Sequence, residues 1–301
     1  MSRLALLNFG LRHIARPFLA RTKTPAHAEA DFRRTARFAF LRPKGLRFEP
    51  FPDAAIARIT CGPVDDSAGI LYFHGGGYVA GSAWTHRAML GRLSKLSGLP
   101  VYAADYRLAQ VAPFPAAFDD ARSAWDALCQ QLPADRIVLG GDSAGGGLSL
   151  ALLASLLHDG IRPAGLFAFS PWTDLTLSGA SLAANEAKDA ILPRARMDEL
   201  CETVLDGADP TDPRVSPLLA QWVDPPPVYV QASESEILYD DGRRMVERLN
   251  AAGGEATFDA WPDCPHVWQI FDGWIPEARD ALTRTADFAN RCLSPRLQSE
   301  N

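Results

Sequence analysis

Between residues 69 and 261 the chain alternates short apolar runs with helical segments, and this rhythm constrains its fold more than any other feature. The runs are Gly69 to Phe73, Val101 to Ala104, Ile137 to Gly140, Gly165 to Phe169, Val228 to Ala232 and Ala256 to Trp261. Continuous apolar runs of this length read as strands buried on both faces, the condition of a parallel sheet whose crossover helices cover it. Two more strands, Leu46 to Phe51 and Ala54 to Cys61, precede them around a Pro-Asp turn. The pattern predicts an α/β fold with a mainly parallel central sheet flanked by helices. One stretch breaks the alternation: 171–227 is rich in Ser, Ala, Asp and Pro and shows no strand, while helical periodicity persists from Ile191 to Leu205. It reads as an insertion lying above the sheet.

Residues 1–20 are apolar and basic, but Arg12 and Arg16 interrupt the apolar run and no cleavage pattern of small residues follows. Leu4, Leu7, Leu11, Ile14 and Phe18 recur at steps of three and four, which predicts one apolar stripe on a helix ending near Pro17. Packing over the protein's own core or site is the favoured reading of that stripe, with membrane-surface contact and a partner helix as alternatives. No segment is apolar for long enough to span a bilayer. A formal charge of −6 provides no footprint for nucleic acid. A small neutral or apolar substrate suits it better. The five cysteines are scattered without metal-ligand spacing and fit free thiols in a reducing, cytoplasmic setting. A homodimer is one of the oligomeric states left open.

Two glycine-rich motifs carry the chemistry. Gly141-Asp142-Ser143-Ala144-Gly145 follows the strand at Ile137 and opens a helical run, the setting in which a G-x-S-x-G serine stands on a sharp turn and needs small neighbours. Neither a P-loop lysine nor a dinucleotide fingerprint accompanies it. His74-Gly75-Gly76-Gly77-Tyr78 follows the strand ending at Phe73. Unobstructed backbone amides there can hold the oxyanion of an acyl-transfer intermediate, and the expected donors are Gly75, Gly76 and Ala144. Tyr78 is a candidate for substrate contact or for packing, as are Trp84 and Leu218. Sorting the six histidines by position leaves His266, after the strand ending at Trp261, as general base for Ser143. For the acid that orients it, the loop after Ala232 offers Glu234, Glu236, Asp240 and Asp241. Position favours Glu236 over Asp240, because Asp240 and Asp241 are placed to cap the helix that follows.

These residues resemble the hormone-sensitive-lipase-like carboxylesterases of the α/β-hydrolase superfamily. The likeness extends from about residue 65 through Asp105-Tyr106-Arg107-Leu108-Ala109, Ser170-Pro171-Trp172-Thr173-Asp174 and Pro265-His266-Val267-Trp268. It implies an α/β-hydrolase domain over 46–301 and a helical cap built from residues 1–45 and the 171–227 insertion. It also implies hydrolysis of esters with short to medium acyl chains, without metal or cofactor. The family's acid usually opens a D-x-L-x-D pattern, and Glu236-Ile237-Leu238-Tyr239-Asp240 departs from it by having Glu first. Gln110-Val111-Ala112 departs where the family often has Pro-Glu-His. The same machinery could cleave an amide, carbamate or formyl group, and a homologue without catalysis could use the pocket to bind a ligand.

Overall fold

The computed structural model describes residues 1–294. Eight strands form one sheet: β1 (Leu46–Pro50), β2 (Ile56–Cys61), β3 (Gly69–Phe73), β4 (Val101–Ala104), β5 (Ile137–Asp142), β6 (Gly165–Phe169), β7 (Val228–Ser233) and β8 (Ala256–Trp261). Their spatial order is β1-β2-β4-β3-β5-β6-β7-β8. Only the β1–β2 and β2–β4 pairings are antiparallel, and β4 onward is parallel. The expected α/β-hydrolase architecture is therefore the one found.

Alternation along each interior strand divides the core in two. Leu71 and Phe73, Ile137 and Leu139, and Leu166 and Ala168 face one side. Ile70 and Tyr72, Val138, and Phe167 and Phe169 face the other. The first side is covered by α5 (Ala116–Leu128), α6 (Ser143–His158) and α9 (Tyr239–Ala251), through residues such as Trp125, Leu152 and Met245. On the second side lie α4 (Ala83–Ser97) and α10 (Pro276–Leu293), which contribute Met89, Leu93, Leu282 and Phe288. Local signals delimit α4: Ser82 and Thr85 form a reciprocal capping box, and Gly98 closes the helix at φ 69°. The insertion carries the short helix α7 (Ser181–Ala184) and α8 (Met197–Leu205).

The N-terminal stripe is not continuous. The helix runs through α1 (Arg3–Gly10), a π-turn at Leu11–Ala15 and α2 (Arg16–Ala20), and does not end at Pro17, which sits in the first turn of α2. Leu4, Leu7 and Leu11 pack against the core as expected. Ile14 and Phe18, however, are 73% and 53% exposed. The wider π-turn delays the helical phase, so residues after Leu11 point away from the stripe that precedes it. A further helix, α3 (Pro25–Phe38), follows Thr24, whose hydroxyl accepts from the His27 amide.

Gly140 has a particular packing partner. A methyl group added to it would come within 2.3 Å of the Phe167 ring, which is fully buried. Gly140→Ala alone should cost about 1–3 kcal/mol through overpacking, and Phe167→Ala about 3–5 kcal/mol through the cavity it leaves. In the double variant the new methyl enters space vacated by the ring. Urea denaturation of the three proteins should therefore give a combined loss at least about 1 kcal/mol smaller than the sum. Simple additivity would show that the two sites do not share this space.

Candidate active site

The parallel register aligns the carboxyl ends of the central strands. Phe73 lies opposite Gly141, Asp142 opposite Phe169, and Ser233 opposite Trp261. The loops leaving β3, β5, β6, β7 and β8 consequently emerge together, at the edge where α/β sheets bind ligands.

Ser143 stands at the β5–α6 turn with φ 51°, a left-handed conformation that is strained for a serine. Close approach of the two arms explains the small residues around it. A methyl group on Gly141 would lie 2.2 Å from the Gly145 carbonyl oxygen, and one on Gly145 would lie 2.2 Å from the Phe73 oxygen. The Trp172 amide donates to the Ser143 carbonyl at 2.9 Å and fixes the turn from the β6 side.

His266 reaches this serine from 123 residues away, with Nε2 at 2.9 Å from Ser143 Oγ. Its Nδ1 lies 2.5 Å from Glu236 Oε2. Glu236 is buried, and its second oxygen accepts from the Ser233 amide at 2.8 Å. This network assigns the Nδ1 proton to the Glu236 side and leaves Nε2 to accept from the serine hydroxyl. Burial disfavours the imidazolium, but the hydrogen bond and charge of Glu236, with Asp189 and Asp142 farther off, outweigh it and hold the His266 pKa above the ordinary histidine value.

The alternative acid lies elsewhere. Asp240 accepts from the Ser181 amide at 2.8 Å and from Arg243 Nε at 3.1 Å, so it joins α9 to α7. Asp241 is likewise occupied, accepting from the Thr173 and Asp174 amides at 2.8 and 3.0 Å. Its burial pushes its pKa up to about 7.

The glycine loop differs from expectation at one residue. Gly75 does not offer a free amide: its N–H donates to Asp142 Oδ1 at 2.9 Å. Asp142 also accepts from Tyr72 Oη at 2.7 Å and faces His86 Nε2 at 3.3 Å. Among the described residues, the amides of Gly76 and Gly77 have no acceptor, and the two glycines adopt φ 121° and 62°. The Ala144 amide, in the first turn of α6, lacks an intrahelical partner by position. His74 is structural in its contacts. It stacks on Tyr106 at 4.2 Å, its Nδ1 lies 2.9 Å from the Gly75 oxygen, and burial lowers its pKa to about 3.

Tyr78 is buried with its ring 6.3 Å from that of Trp172, and its hydroxyl has no partner among the described residues. It borders a narrow, largely apolar cleft with Phe114, Leu148, Val204 and Val215. Trp84, by contrast, lies under the guanidinium of Arg87, 3.5 Å from the ring centroid.

Sequence reasoning passed over His86, Asp142 and Asp189. Asp142 lay in view inside the serine motif, but its partners become visible only when β3, β5 and α4 are assembled. Burial opposes the Asp142 carboxylate, yet the charge and hydrogen bond of His86, with those of Tyr72 and Gly75, keep its pKa below the usual range. Burial likewise opposes the His86 imidazolium, and Asp142 more than compensates. Asp189, in the insertion, accepts from the Ile191, Leu192 and Ile237 amides at 2.8, 2.8 and 2.9 Å.

Comparison with known proteins agrees with this architecture. The profile of the alpha/beta hydrolase fold family matches residues 70–270. An acetyl-hydrolase of Streptomyces hygroscopicus is 38% identical over 219 residues, 72% of this chain and 73% of that protein. An esterase of Acinetobacter venetianus is 38% identical over 224 residues, covering 73% and 74% of the two chains. Among solved structures, an esterase of the bacterial hormone-sensitive lipase family superposes with a TM-score of 0.90 at 33% identity, covering 97% of this chain and 98% of its own. The family match over residues 70–270, the 38% identity to these relatives and the superposition on the solved esterase place the chain in the alpha/beta hydrolase fold family, among the hormone-sensitive-lipase-like esterases.

Proposed function

We propose that Ser143, His266 and Glu236 form the catalytic triad of a serine carboxylesterase acting through an acyl-enzyme. The observation that carries the reading is the unbroken line from Ser143 Oγ to His266 Nε2 at 2.9 Å and from His266 Nδ1 to Glu236 at 2.5 Å. His266 takes the serine proton as Oγ attacks the ester carbonyl, and Glu236 stabilises the imidazolium that forms. The proton then passes to the departing alcohol. Water repeats the sequence on the acyl-enzyme, releasing the acid and returning the proton to Oγ.

The developing oxyanion is assigned to the amides of Gly76, Gly77 and Ala144. Gly77 takes the place expected for Gly75, whose N–H is committed to Asp142 and serves to fix the loop. Residues 1–45 and the 171–227 insertion act as the cap, supported by the bonds from Arg12 and Arg16 to the Lys188 and Glu186 carbonyls at 2.7 and 2.6 Å. Short to medium acyl chains are the proposed substrates, as the likeness to hormone-sensitive-lipase-like esterases suggests. No helix among the described residues is long and apolar enough to cross a membrane. Cys61, Cys129, Cys201 and Cys264 are free thiols, which supports a cytoplasmic setting.

Replacing Ser143 with alanine should lower turnover of a short p-nitrophenyl ester by about 10⁴-fold or more with an unchanged thermal transition. Wild-type turnover in that variant would end the reading. The acid is tested separately through the pH profile. Glu236 favours the charged imidazole, so Glu236→Gln should move the acidic limb of kcat/KM to lower pH and reduce kcat by about 10²–10⁴-fold. Asp240→Asn should leave that limb in place. The opposite pattern would transfer the role to Asp240.

A further inference from the structure

Over residues 1–48 eleven Lys and Arg stand against two acidic residues, a surplus of nine on a chain whose formal charge is −6. Eight of the twelve large apolar side chains exposed among the described residues fall in this same stretch, so positive charge and uncovered apolar surface coincide. The helix over residues 3–20 shows why. Its inner side, Leu4, Leu7 and Leu11, is already used against the core. Its outer side presents Leu6, Phe9, Ile14 and Phe18, exposed by 64, 59, 73 and 53%. Arg3, Arg12, Arg21 and Lys23 are exposed on the helix or just beyond it. One apolar stripe is enough to seat a helix, so the second has no use within the described fold.

This helix is also tied to the rest of the fold by hydrogen bonds. Asn8 Nδ2 donates to the Asp263 carbonyl at 2.6 Å, Arg12 and Arg16 donate to the Lys188 and Glu186 carbonyls, and Arg196 donates to the Thr22 carbonyl at 2.6 Å. A preformed amphipathic surface avoids most of the ordering entropy that a flexible tail would lose on binding.

We propose that the outer face of the helix over residues 3–20 docks onto an anionic lipid surface. Leucine, isoleucine and phenylalanine side chains enter the boundary between headgroups and acyl chains, and Arg3, Arg21 and Lys23 meet lipid phosphates. Charge selects this occupant over a symmetric pair of copies, because face-to-face self-association would bring like charges together. The anchor points give docking a consequence. Asp263 lies on the His266 loop, and Lys188 adjoins Asp189, whose carboxylate binds the Ile237 amide next to Glu236. Seating the helix on lipid would bring both segments to the surface into which apolar esters partition, a consequence that rests on the esterase reading.

Co-sedimentation of the full chain with vesicles tests the proposal. Vesicles of equimolar phosphatidylcholine and phosphatidylglycerol should bind at least about tenfold more tightly than pure phosphatidylcholine, and high salt should weaken the binding. The variant Leu6→Gln/Phe9→Gln/Phe18→Gln should lose about tenfold in affinity while keeping its circular dichroism. Arg3→Gln/Arg21→Gln/Lys23→Gln should remove the salt-sensitive part of the binding. Absence of binding to the anionic vesicles would overturn the proposal, as would unchanged binding by the apolar triple variant. Light scattering that showed an oligomer dissociated by that variant, without lipid binding, would instead assign the face to a second copy. Loss of ester turnover in the wild type would strike only the esterase reading and leave the vesicle result standing.

Discussion

Gly145 lies so close to the end of β3 that a methyl group on it would sit 2.2 Å from the Phe73 carbonyl oxygen and 2.4 Å from that of His74. Backbone carbonyls anchored in a sheet have little freedom to retreat, so this contact fixes how near the start of α6 comes to the glycine loop. The distance between Ser143 and the amides proposed to hold an oxyanion is thereby set by main-chain packing. The β3–β5 register supplies the coarse alignment, with Phe73 opposite Gly141. Asp142 supplies the fine one by accepting the Gly75 amide from the residue immediately before Ser143. Preorganisation of this kind matters because donors that need no rearrangement during reaction stabilise developing charge most effectively.

Two buried acid–histidine pairs serve this edge of the sheet, and their surroundings separate their duties. His266 has one nitrogen on Glu236 and the other on a hydroxyl, so it can exchange a proton with the proposed nucleophile. His86 is enclosed, with Nε2 facing Asp142 and Nδ1 near Thr85 Oγ1 and the Ser82 carbonyl. The nearby His74, 5.7 Å from His86 between ring centroids, has no carboxylate of its own and stays neutral. The Asp142–His86 pair contributes stability over a bounded range. The Asp142 share is lost as pH falls through its depressed folded pKa, and the His86 share is lost as pH rises through its elevated one.

Much of this was legible in the chain. The strands were, because burial on both faces leaves runs such as Ile137 to Gly140 with no polar residue, and burial is the property that apolar sequence records directly. The pairing of Ser143 with His266 was legible because each follows a strand and has few competitors of its type. Glu236 could be separated from Asp240 only by position, and the structure gives the reason: a side chain in the β7–α9 loop faces His266, while Asp240, in the first turn of α9, turns toward Ser181. What stayed hidden depends on contacts through space. The Gly75 amide is committed by a carboxylate 67 residues away, and no local pattern among three consecutive glycines distinguishes the first from the third. Ile14 and Phe18 left their stripe because a single π-turn altered the phase, and a spacing rule that assumes a uniform helix cannot register that change.

A proposed base supplied by a loop so distant in sequence from the serine it faces needs restraint from several directions, and the structure provides it. Val267, at φ 51°, donates its amide to Ser170 Oγ at 3.2 Å, tying the His266 loop to the end of β6. Ser235 Oγ donates to the Cys264 carbonyl at 3.1 Å, tying it to the loop that carries Glu236. Asn8 adds the third restraint from the N-terminal helix at the Asp263 carbonyl. Misplacement of a reacting group by about 1 Å can cost on the order of 10²-fold in rate, so such tethers are required wherever the reacting groups come from different loops. The first two arise within the sheet's own loops. The third depends on a helix that also grips the 186–188 segment of the insertion, which makes the position of the base mechanically continuous with the elements around the site.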